Sequence, residues 1–318
     1  MQADAPHVPV MLERIVELLA PALRHTGATA IDATVGMGGH AEALLRECPQ
    51  ARVVGVDRDR DALRHAADRL QHFGSRFVPV QAVYDDIAAV AAEHTPDGLS
   101  VALFDLGISS RQVDLVERGF AYAVDAPLDM RMDQGRGQRA ADVLNTYPQD
   151  ELSRILREYG QERFAARIAA AIVRERAHAP FESSARLVEL LRSTVPAASV
   201  RSGGHPAKRT FQALRIEVND ELGALRRALP AAVELIGVGG RLAVLSYHSL
   251  EDREVKQTFV RGSTSSAPRG LPVELPEHRP ALRLLTRGAE KPSDAQIQTN
   301  PRAASARLRA VERIREAA

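Results

Sequence analysis

The sequence predicts an α/β protein built on a doubly wound parallel sheet, with a block of helices inserted into the chain. Apolar strand patterns alternate with helical patterns over the first 110 residues, whereas from 113 to 205 only helical patterns occur. The alternation resumes after residue 207. Alternation of this kind is typical of a parallel sheet whose strands are joined by crossover helices. We therefore predict a discontinuous domain, 1–112 with 206–318, and a helical insertion, 113–205.

The first part of the chain contains four apolar strand patterns, which form half of a doubly wound sheet. The segment 59–73 between the second and third strands carries its apolar residues at helical spacing. The predicted strands are 28–35, 52–57, 76–83 and 99–106. The predicted helices are 8–24, a short helix that ends at Cys48, 59–73, and a helix that ends near residue 94.

The rest of the chain divides into the helical insertion and a second alternating part. A Pro, Gly and Ser composition predicts loops at 196–206 and 262–281, and Pro230 predicts a break in a long helix, 207–236. The insertion is predicted to contain helices 138–147, 149–159, 162–177 and 183–194. The second alternating part is predicted to contain strand 240–247, a helix from residue 250, and strands 282–287 and 306–313.

Composition excludes several classes of protein. The single cysteine excludes a disulfide framework and a multi-cysteine metal site, and no His/Asp/Glu spacing indicates a metal. No apolar run approaches the ~18 residues of a membrane span, and the N-terminus does not resemble a signal peptide, so we expect a cytoplasmic protein. Residues 201–318 carry a net charge of +7, which fits either a polyanionic partner or a solvated basic face. The sequence leaves open whether the protein forms a homodimer.

A glycine turn after the first strand predicts a nucleoside cofactor site. Gly36 and Gly38 lie between a strand and a helix, where glycines let the backbone approach a ligand closely. Asp57 ends the second strand, where a carboxylate accepts hydrogen bonds from ribose hydroxyls. The spacing of Gly36, Gly38 and Ala41 also satisfies the loose dinucleotide pattern, so NAD and an oxidoreductase stay open. A tight turn with an exposed aspartate is the structural alternative.

Two further carboxylates favour S-adenosylmethionine over NAD. Asp32 lies just before the glycine turn, where it can meet the amino-acid end of the methionine moiety. Asp105 ends the fourth strand, where methyltransferases acting on amino groups place an acidic or amide residue that receives the substrate NH₂. Because parallel sheets place active sites at the carboxyl ends of their strands, Asp32, Gly38, Asp57 and Asp105 are expected to converge on one crevice. Asp105 could instead cap the next turn.

Ten separated blocks, spread from His7 to Arg309, carry a family resemblance. They include HVPVML, DATVGMGGH, GVDRD, LFDLGISSRQVD, RGFAY, PLDMRMD, EYGQERFAARIAAAI, HPAKRTFQALRIEVNDEL, GGRLAVLSYHSLEDR and NPRAASARLR. The chain resembles the bacterial ribosomal RNA small subunit methyltransferase H family, which methylates N4 of a cytosine in 16S rRNA. The resemblance implies a class I S-adenosylmethionine-dependent methyltransferase, Rossmann-like, with a mostly parallel sheet, a reversed last strand at 306–313 and an inserted helical domain for RNA recognition.

The resemblance also assigns cofactor-binding positions. One of them, Tyr84, departs from the phenylalanine associated with that position, although another ring should still stack on adenine. His40 rests on the resemblance alone, because a histidine at a helix start is equally a packing or capping group. The cofactor positions that the resemblance implies are Gly38, Gly39, His40, Asp57, Tyr84, Asp105 and Gln112.

The chemistry of cytosine separates the competing methylation routes. Methylation of ring carbon C5 requires a thiolate that first attacks C6, and the only thiol, Cys48, lies late in the first crossover helix. The exocyclic amine needs no covalent step, and an acceptor on its N–H helps to localise the lone pair. We expect Asp105 to be that acceptor, in a crevice that the base reaches by leaving its stack.

Several other residues carry open interpretations. His248, in the segment 246–249 after the fifth strand, is either a substrate contact or part of a helix cap. The charged run 129–133 either lines the pocket or forms an exposed loop. The candidates for contacts with 16S rRNA phosphates, in the small subunit or its precursor, are His205, Lys208, Arg209 and Arg215. Besides a methyltransferase, an NAD-dependent oxidoreductase, a methyltransferase for another nucleic acid and a non-catalytic RNA-binding module stay open.

Overall fold

The computed structural model describes residues 9–196, 205–268 and 275–316. The chain divides into two compact units: Met1–Gly107 with Gly223–Ala318, here called the sheet unit, and Ile108–Leu222, here called the helical unit. The helical unit thus extends beyond the predicted 113–205 and includes the helix that carries Lys208. Residues 197–204 of the predicted loop 196–206 and residues 269–274 of the predicted loop 262–281 lie outside the described residues. Within those residues, no helix is long and apolar enough to cross a membrane.

The helices follow the predicted alternation along the chain. Short segments of 3-10 helix accompany them, such as Ala20–Leu23 and Tyr84–Asp86. In chain order the described α-helices are α1 Leu12–Leu19, α2 Gly39–Glu47, α3 Arg60–Leu70, α4 Ile87–His94, α5 Ser110–Asp114, α6 Ala140–Thr146, α7 Gln149–Glu158, α8 Ala165–Arg176, α9 Ser184–Thr194, α10 Ala207–Asn219, α11 Glu221–Leu235, α12 Ser249–Ser263 and α13 Asp294–Thr299.

The described part of the sheet unit contains one sheet of seven strands in the order β3-β2-β1-β4-β5-β7-β6. Pairs among β1 to β5 are parallel, whereas β7 is antiparallel to both β5 and β6. A mostly parallel sheet with a reversed last strand confirms the predicted fold class. The strands are β1 Thr29–Asp32, β2 Arg52–Asp57, β3 Phe77–Gln81, β4 Leu99–Asp105, β5 Ile236–Ser246, β6 Leu282–Leu284 and β7 Arg307–Arg313.

The central strands are apolar on both faces because helices cover both sides of the sheet. On β4, Val101 and Leu103 join the cluster that contains α1, α2 and α3 residues. The alternate residues Ala102 and Phe104 join the other cluster, with α4, α11 and α12. Since successive strand residues point to opposite faces, one short apolar run supplies both cores.

The helix predicted over 207–236 is two helices, and its break was predicted at the wrong residue. Asp220 has a left-handed backbone (φ +49°), which ends α10, whereas Pro230 lies inside α11. Its neighbours Leu229 and Ala232 are fully buried in the core of the sheet unit. Proline removes one backbone hydrogen bond of the helix, and the packing of this apolar face compensates for that loss. Helix propensity, which is a local property, does not include this packing energy.

The helical unit has a separate hydrophobic core. Its cluster combines residues of α6 to α10 with Phe120 and Phe181 from the connecting segments. The four helices predicted for the insertion agree with α6 to α9 within three residues at each end. The short helices α5 and α13 were not predicted, because five or six residues carry too little periodicity to be detected.

Candidate functional site

The glycine turn between β1 and α2 is held in a conformation that favours glycine. Gly36 and Gly38 have φ of +51° and +77°, a region that residues with a Cβ rarely adopt. A Cβ on Gly38 would also lie 3.0 Å from Leu70 Cδ1. The turn therefore ends β1 at Asp32, three residues before the predicted end, and leads directly into the N-terminus of α2.

Asp57, at the end of β2, braces this turn from the next strand. Its Oδ2 accepts a hydrogen bond from Gly36 N at 2.9 Å, and its Oδ1 accepts one from Asp59 N at 2.8 Å. Burial raises the pKa of Asp57 to about 6, against which the two backbone donors act. The predicted alternative of an exposed aspartate is therefore wrong, and the carboxylate has a fixed orientation at the sheet edge.

Asp32 and Asp105 end the adjacent parallel strands β1 and β4. The chain leaves these strands toward opposite edges of the sheet, which makes this the topological switch point where open α/β sheets bind ligands. Asp32 is only 1% exposed, and burial raises its pKa to about 8, with a further contribution from the Asp105 carboxylate. Asp105 is more accessible, with 24% of its side chain exposed.

Asp105 is tied to three neighbouring elements. Its backbone N donates to Thr34 Oγ1 at 2.6 Å, in the glycine turn. Its Oδ1 accepts a hydrogen bond from the Tyr247 hydroxyl at 2.8 Å, and its Oδ2 lies 3.5 Å from His40 Nδ1. These contacts hold Asp105 between three elements, and its role as the acceptor for the substrate amine stays a prediction.

His40 is a buried residue of the first turn of α2. Its Nε2 lies 3.1 Å from the carbonyl oxygen of Val10, which can only accept, so Nε2 is the donor. The other ring nitrogen faces Asp105. The preceding Gly39 is needed for space, since a Cβ there would lie 2.3 Å from Pro9 Cγ. The contacts of His40 agree with a packing role, and a cofactor contact stays a prediction.

The remaining cofactor candidates lie in different units. Tyr84 follows β3 in the sheet unit and packs edge to face against Phe104, with ring centroids 5.9 Å apart. Gln112 belongs to the helical unit, where its Oε1 accepts from Ser109 N at 3.0 Å and its N donates to Ser109 Oγ at 3.2 Å. The predicted roles of Tyr84 in adenine stacking and of Gln112 in cofactor binding stay predictions.

The segment after β5 forms the N-terminal cap of α12. Glu251 Oε2 accepts hydrogen bonds from the backbone N of Tyr247 at 2.7 Å and of His248 at 3.2 Å. His248 Nδ1 in turn accepts one from Glu251 N at 3.3 Å. This reciprocal arrangement agrees with the helix-cap interpretation of His248. Glu251 was not predicted as part of this cap, although a glutamate three residues after an N-cap residue is a known signal for a helix start.

Comparison with known proteins identifies the family. The sequence profile of the MraW methylase family matches residues 4–314. The chain belongs to this family. A protein of Saccharopolyspora erythraea named ribosomal RNA small subunit methyltransferase H is 64% identical over 98% of this chain and 94% of its own length. A Nocardioides protein of the same name is 61% identical, over 98% of each chain.

Membership of this methylase family confirms the predicted cofactor, S-adenosylmethionine, and rules out the NAD-dependent oxidoreductase and the non-catalytic module. The chain also has a remote likeness to the solved structure of an rRNA methylase from Streptococcus thermophilus. That likeness has 12% identity and a TM-score of 0.45, over 97% of this chain and 99% of the other.

The four candidates for phosphate contacts all lie in the helical unit, but they differ in environment. Lys208 and Arg209 are exposed on the first turn of α10. Arg215 is 15% exposed and makes a two-pronged ion pair with Glu221, at 2.8 and 2.9 Å. His205 stacks on Tyr122 at 4.6 Å, and burial lowers its pKa. Of these four candidates, only Lys208 and Arg209 therefore have the exposed charge that a contact with a phosphate requires.

The run 129–133 is not the exposed loop considered as an alternative. Met130 is fully buried and Met132 nearly so, in the core of the helical unit. Asn219 holds both residues, because its Nδ2 donates to Met130 O and its Oδ1 accepts from Met132 N, each at 2.8 Å. Arg131 pairs with Asp129 instead of with solvent. The segment packs into the core of the helical unit and is hydrogen-bonded to Asn219 of α10.

Cys48 is a core residue of the sheet unit. It is 3% exposed at the C-terminal end of α2, and its Sγ faces Ala20 O at 3.8 Å. Burial raises the pKa of this thiol, which disfavours the thiolate. The structure thus agrees with the interpretation of Cys48 as a core residue.

Proposed function

We propose that this protein transfers a methyl group from S-adenosylmethionine to the exocyclic N4 amine of a cytosine in 16S rRNA, in the small ribosomal subunit or its precursor. The names of the similar proteins support methylation of small-subunit ribosomal RNA. The placement of Asp105 at the end of β4, beside the glycine turn, is the observation that carries the choice of an amine.

The residues of the sheet unit fit the cofactor. The glycine turn offers close backbone approach, and Asp57, with a pKa of about 6, provides negative charge at neutral pH. Asp32, with a pKa of about 8 in the free protein, would become ionised when the ammonium group of the cofactor's amino-acid tail lies beside it. When bound, the cofactor supplies a methyl electrophile on its sulfonium. Asp57 would accept hydrogen bonds from ribose hydroxyls, Asp32 would face the methionine end, and Tyr84 would stack on adenine. His40 would fix the end of the turn.

Asp105 would orient the substrate amine. The lone pair of N4 is delocalised into the cytosine ring, so an acceptor on its N–H favours the geometry in which N4 attacks. Each carboxylate oxygen has two lone pairs, so the bond from Tyr247 to Oδ1 does not exhaust that oxygen. In-line methyl transfer depends mainly on such positioning, and Asp105 is sufficiently exposed to meet a flipped base.

The alternative of methylation at ring carbon C5 lacks its nucleophile. That route requires a thiolate near the base, and the only cysteine in the sequence is Cys48. Cys48 is buried at the C-terminal end of α2, whereas Asp105 is the last residue of β4. The amine route therefore fits the chemistry of the sheet unit better.

The helical unit would recognise the RNA. Exposed cations that contact phosphates hold an RNA in register without reading its sequence. Lys208 has this character, and it lies one helical turn before Gln212, whose Nε2 donates to Tyr159 O. Arg209 is exposed on the same turn, so Lys208 and Arg209 would contact the RNA backbone.

Transfer of a tritiated methyl group to purified small ribosomal subunits, followed by nucleoside mass spectrometry, tests the proposal. We expect N4-methylcytidine in 16S rRNA. Labelled 5-methylcytidine would overturn the amine mechanism, and label in DNA but not in ribosomal particles would favour a methyltransferase for another nucleic acid. Calorimetry should show saturable binding of S-adenosylmethionine and none of NAD.

A further inference from the structure

The hydroxyl of Tyr247 is a buried donor aimed at the carboxylate of Asp105. Its oxygen lies 2.8 Å from Asp105 Oδ1. Burial raises the pKa of Tyr247 well above its usual value, and the Asp105 charge adds to the rise. The phenol therefore keeps its proton at neutral pH and can only donate to this carboxylate.

Tyr247 is itself rigidly held. Its backbone N donates to the buried carboxylate of Glu251 at 2.7 Å, in the cap of α12. Its ring packs against the backbone of Gly107, where an added Cβ would lie 3.3 Å from Tyr247 Cδ2. Gly107 has φ of +95°, so this close approach is suited to glycine alone. The position of the Tyr247 hydroxyl is consequently fixed by its backbone and by its ring.

The carboxylate of Asp105 needs a donor at a fixed position to set its orientation. The terminal torsion of an aspartate is broad, so backbone position alone does not orient the two oxygens. The bond from Asp105 N to Thr34 Oγ1 fixes the backbone, and His40 lies at the longer distance of 3.5 Å from Oδ2. The Tyr247 hydroxyl, at 2.8 Å from Oδ1, is closer to the carboxylate than the His40 ring is.

We infer that Tyr247 is a positioning residue, which sets the orientation in which Asp105 receives the substrate amine. The inference rests on the proposed function, since it assigns Tyr247 a role through Asp105 and none in direct contact with substrate. The charge-assisted hydrogen bond is of the strong class and resists reorientation when the base enters.

A double-mutant cycle of Tyr247→Phe and Asp105→Ala tests this inference. The phenylalanine keeps the ring and removes only the hydroxyl. In single turnovers on small ribosomal subunits, with both substrates saturating, we expect Tyr247→Phe to slow methyl transfer by about tenfold, the scale of one hydrogen bond to a charged group. Affinity for S-adenosylmethionine should change less than twofold. In the Asp105→Ala background, Tyr247→Phe should have no further effect on the rate.

Tyr147→Phe is the matched control, because it removes an equivalent bond in the helical unit, from Tyr147 OH to Glu217 Oε1 at 2.8 Å. Its single-turnover rate should be unchanged at saturation. Equal slowing by Tyr247→Phe with and without Asp105, or a normal rate in Tyr247→Phe, would overturn the inference while leaving the wild-type product, and hence the proposed function, intact.

The same cycle measured by thermal unfolding needs no substrate. If the wild type formed no N4-methylcytidine, the proposed function would fail. Coupling between Tyr247→Phe and Asp105→Ala in unfolding would still support the positioning contact, whereas additive effects would contradict it.

Discussion

The sheet unit and the helical unit hold their polar candidate residues in opposite ways. In the sheet unit, Asp32 and Asp57 are buried at strand ends, and their pKa values are raised by that burial. In the helical unit, Lys208 and Arg209 are exposed on one helix turn. Buried groups fixed by hydrogen bonds suit a chemical step, whereas exposed cations suit a salt-dependent encounter with a polyanion. Substitutions in the sheet unit should therefore lower the rate of methyl transfer, whereas substitutions in the helical unit should lower the salt-dependent affinity for RNA.

The largest effect is expected in the sheet unit, at Asp105. Asp105→Ala should lower single-turnover methyl transfer by at least ~100-fold, the scale of losing one positioned polar group in a site. Affinity for S-adenosylmethionine should fall less, and the melting temperature should show that the fold survives. A near-normal rate on small ribosomal subunits would remove Asp105 from the mechanism.

A smaller effect, with a different signature, is expected in the helical unit. Replacing Lys208 and Arg209 together by glutamine should lower the slope of log affinity for RNA against log salt by about 1.4–1.8, because each phosphate contact contributes about 0.7–0.9. Lys256 and Arg261, which are exposed on α12 of the sheet unit, give the matched control pair. An unchanged slope in the first pair, or a larger change in the control pair, would place the RNA on the other unit.

The buried Asp32 should reveal itself in the pH dependence of stability. Its carboxyl titrates near 3.8 when unfolded and at about 8 when folded, so the unfolded chain binds fewer protons between these values and stability falls as pH rises through this window. Asp32→Asn removes the cost of ionisation. We expect its melting temperature to exceed the wild type's by at least about 2–4 °C at pH 8.5, because that range corresponds to about 1 kcal/mol and each pKa unit of the shift contributes about 1.4 kcal/mol. Near pH 4 the difference should be much smaller.

The control for Asp32→Asn is Asp97→Asn, at an exposed position of the same unit. Its melting temperature should follow the wild type across the pH range. Asp32→Asn should also weaken binding of S-adenosylmethionine in calorimetry at pH 8.5, where the wild-type carboxyl is mostly ionised and the substitution removes its negative charge from the cofactor crevice. An Asp32→Asn curve parallel to the wild type's would show that Asp32 is ionised without penalty.

The smallest effect is expected at Cys48. Cys48→Ala should keep a methyl-transfer rate within about twofold of the wild type's, since the buried thiol contributes packing and no chemistry. The product should remain N4-methylcytidine by nucleoside mass spectrometry. Loss of activity in a folded Cys48→Ala protein would reopen the carbon-methylation route and would weaken the contrast between the two units.

Much of the sheet was predictable because apolar runs report burial directly. The strand at 52–57 was predicted at its observed ends, and the other sheet strands at the correct places. Their predicted ends are too long by at most three residues, except that the predicted strand 240–247 begins four residues after the observed start of β5. Helix α11 shows where this fails: Pro230 has a strong local preference against helix, yet the core of the sheet unit holds the helix together there. Local propensity does not contain that packing energy.

The sequence by itself determined the kinds of residues at the strand ends. Asp32, Asp57 and Asp105 each follow an apolar strand, and a parallel sheet gathers the carboxyl ends of its strands at one edge. Only the tertiary structure decided which of the candidate cations is already paired with a carboxylate of the protein. Arg215 and Lys208 look alike in the sequence, but Arg215 is paired with Glu221 and Lys208 is exposed on the same helix.

The tertiary structure alone also joined Tyr247 to Asp105. The two residues are 142 positions apart, and they meet because β4 and β5 pair in register, with Asp105 opposite Leu245. A hydrogen bond needs its donor and acceptor within about 3 Å, and periodicity cannot fix a distance of that precision between remote segments. Residue types and their sheet edge are local properties of the sequence, whereas the partner of each polar atom depends on how separate strands pack.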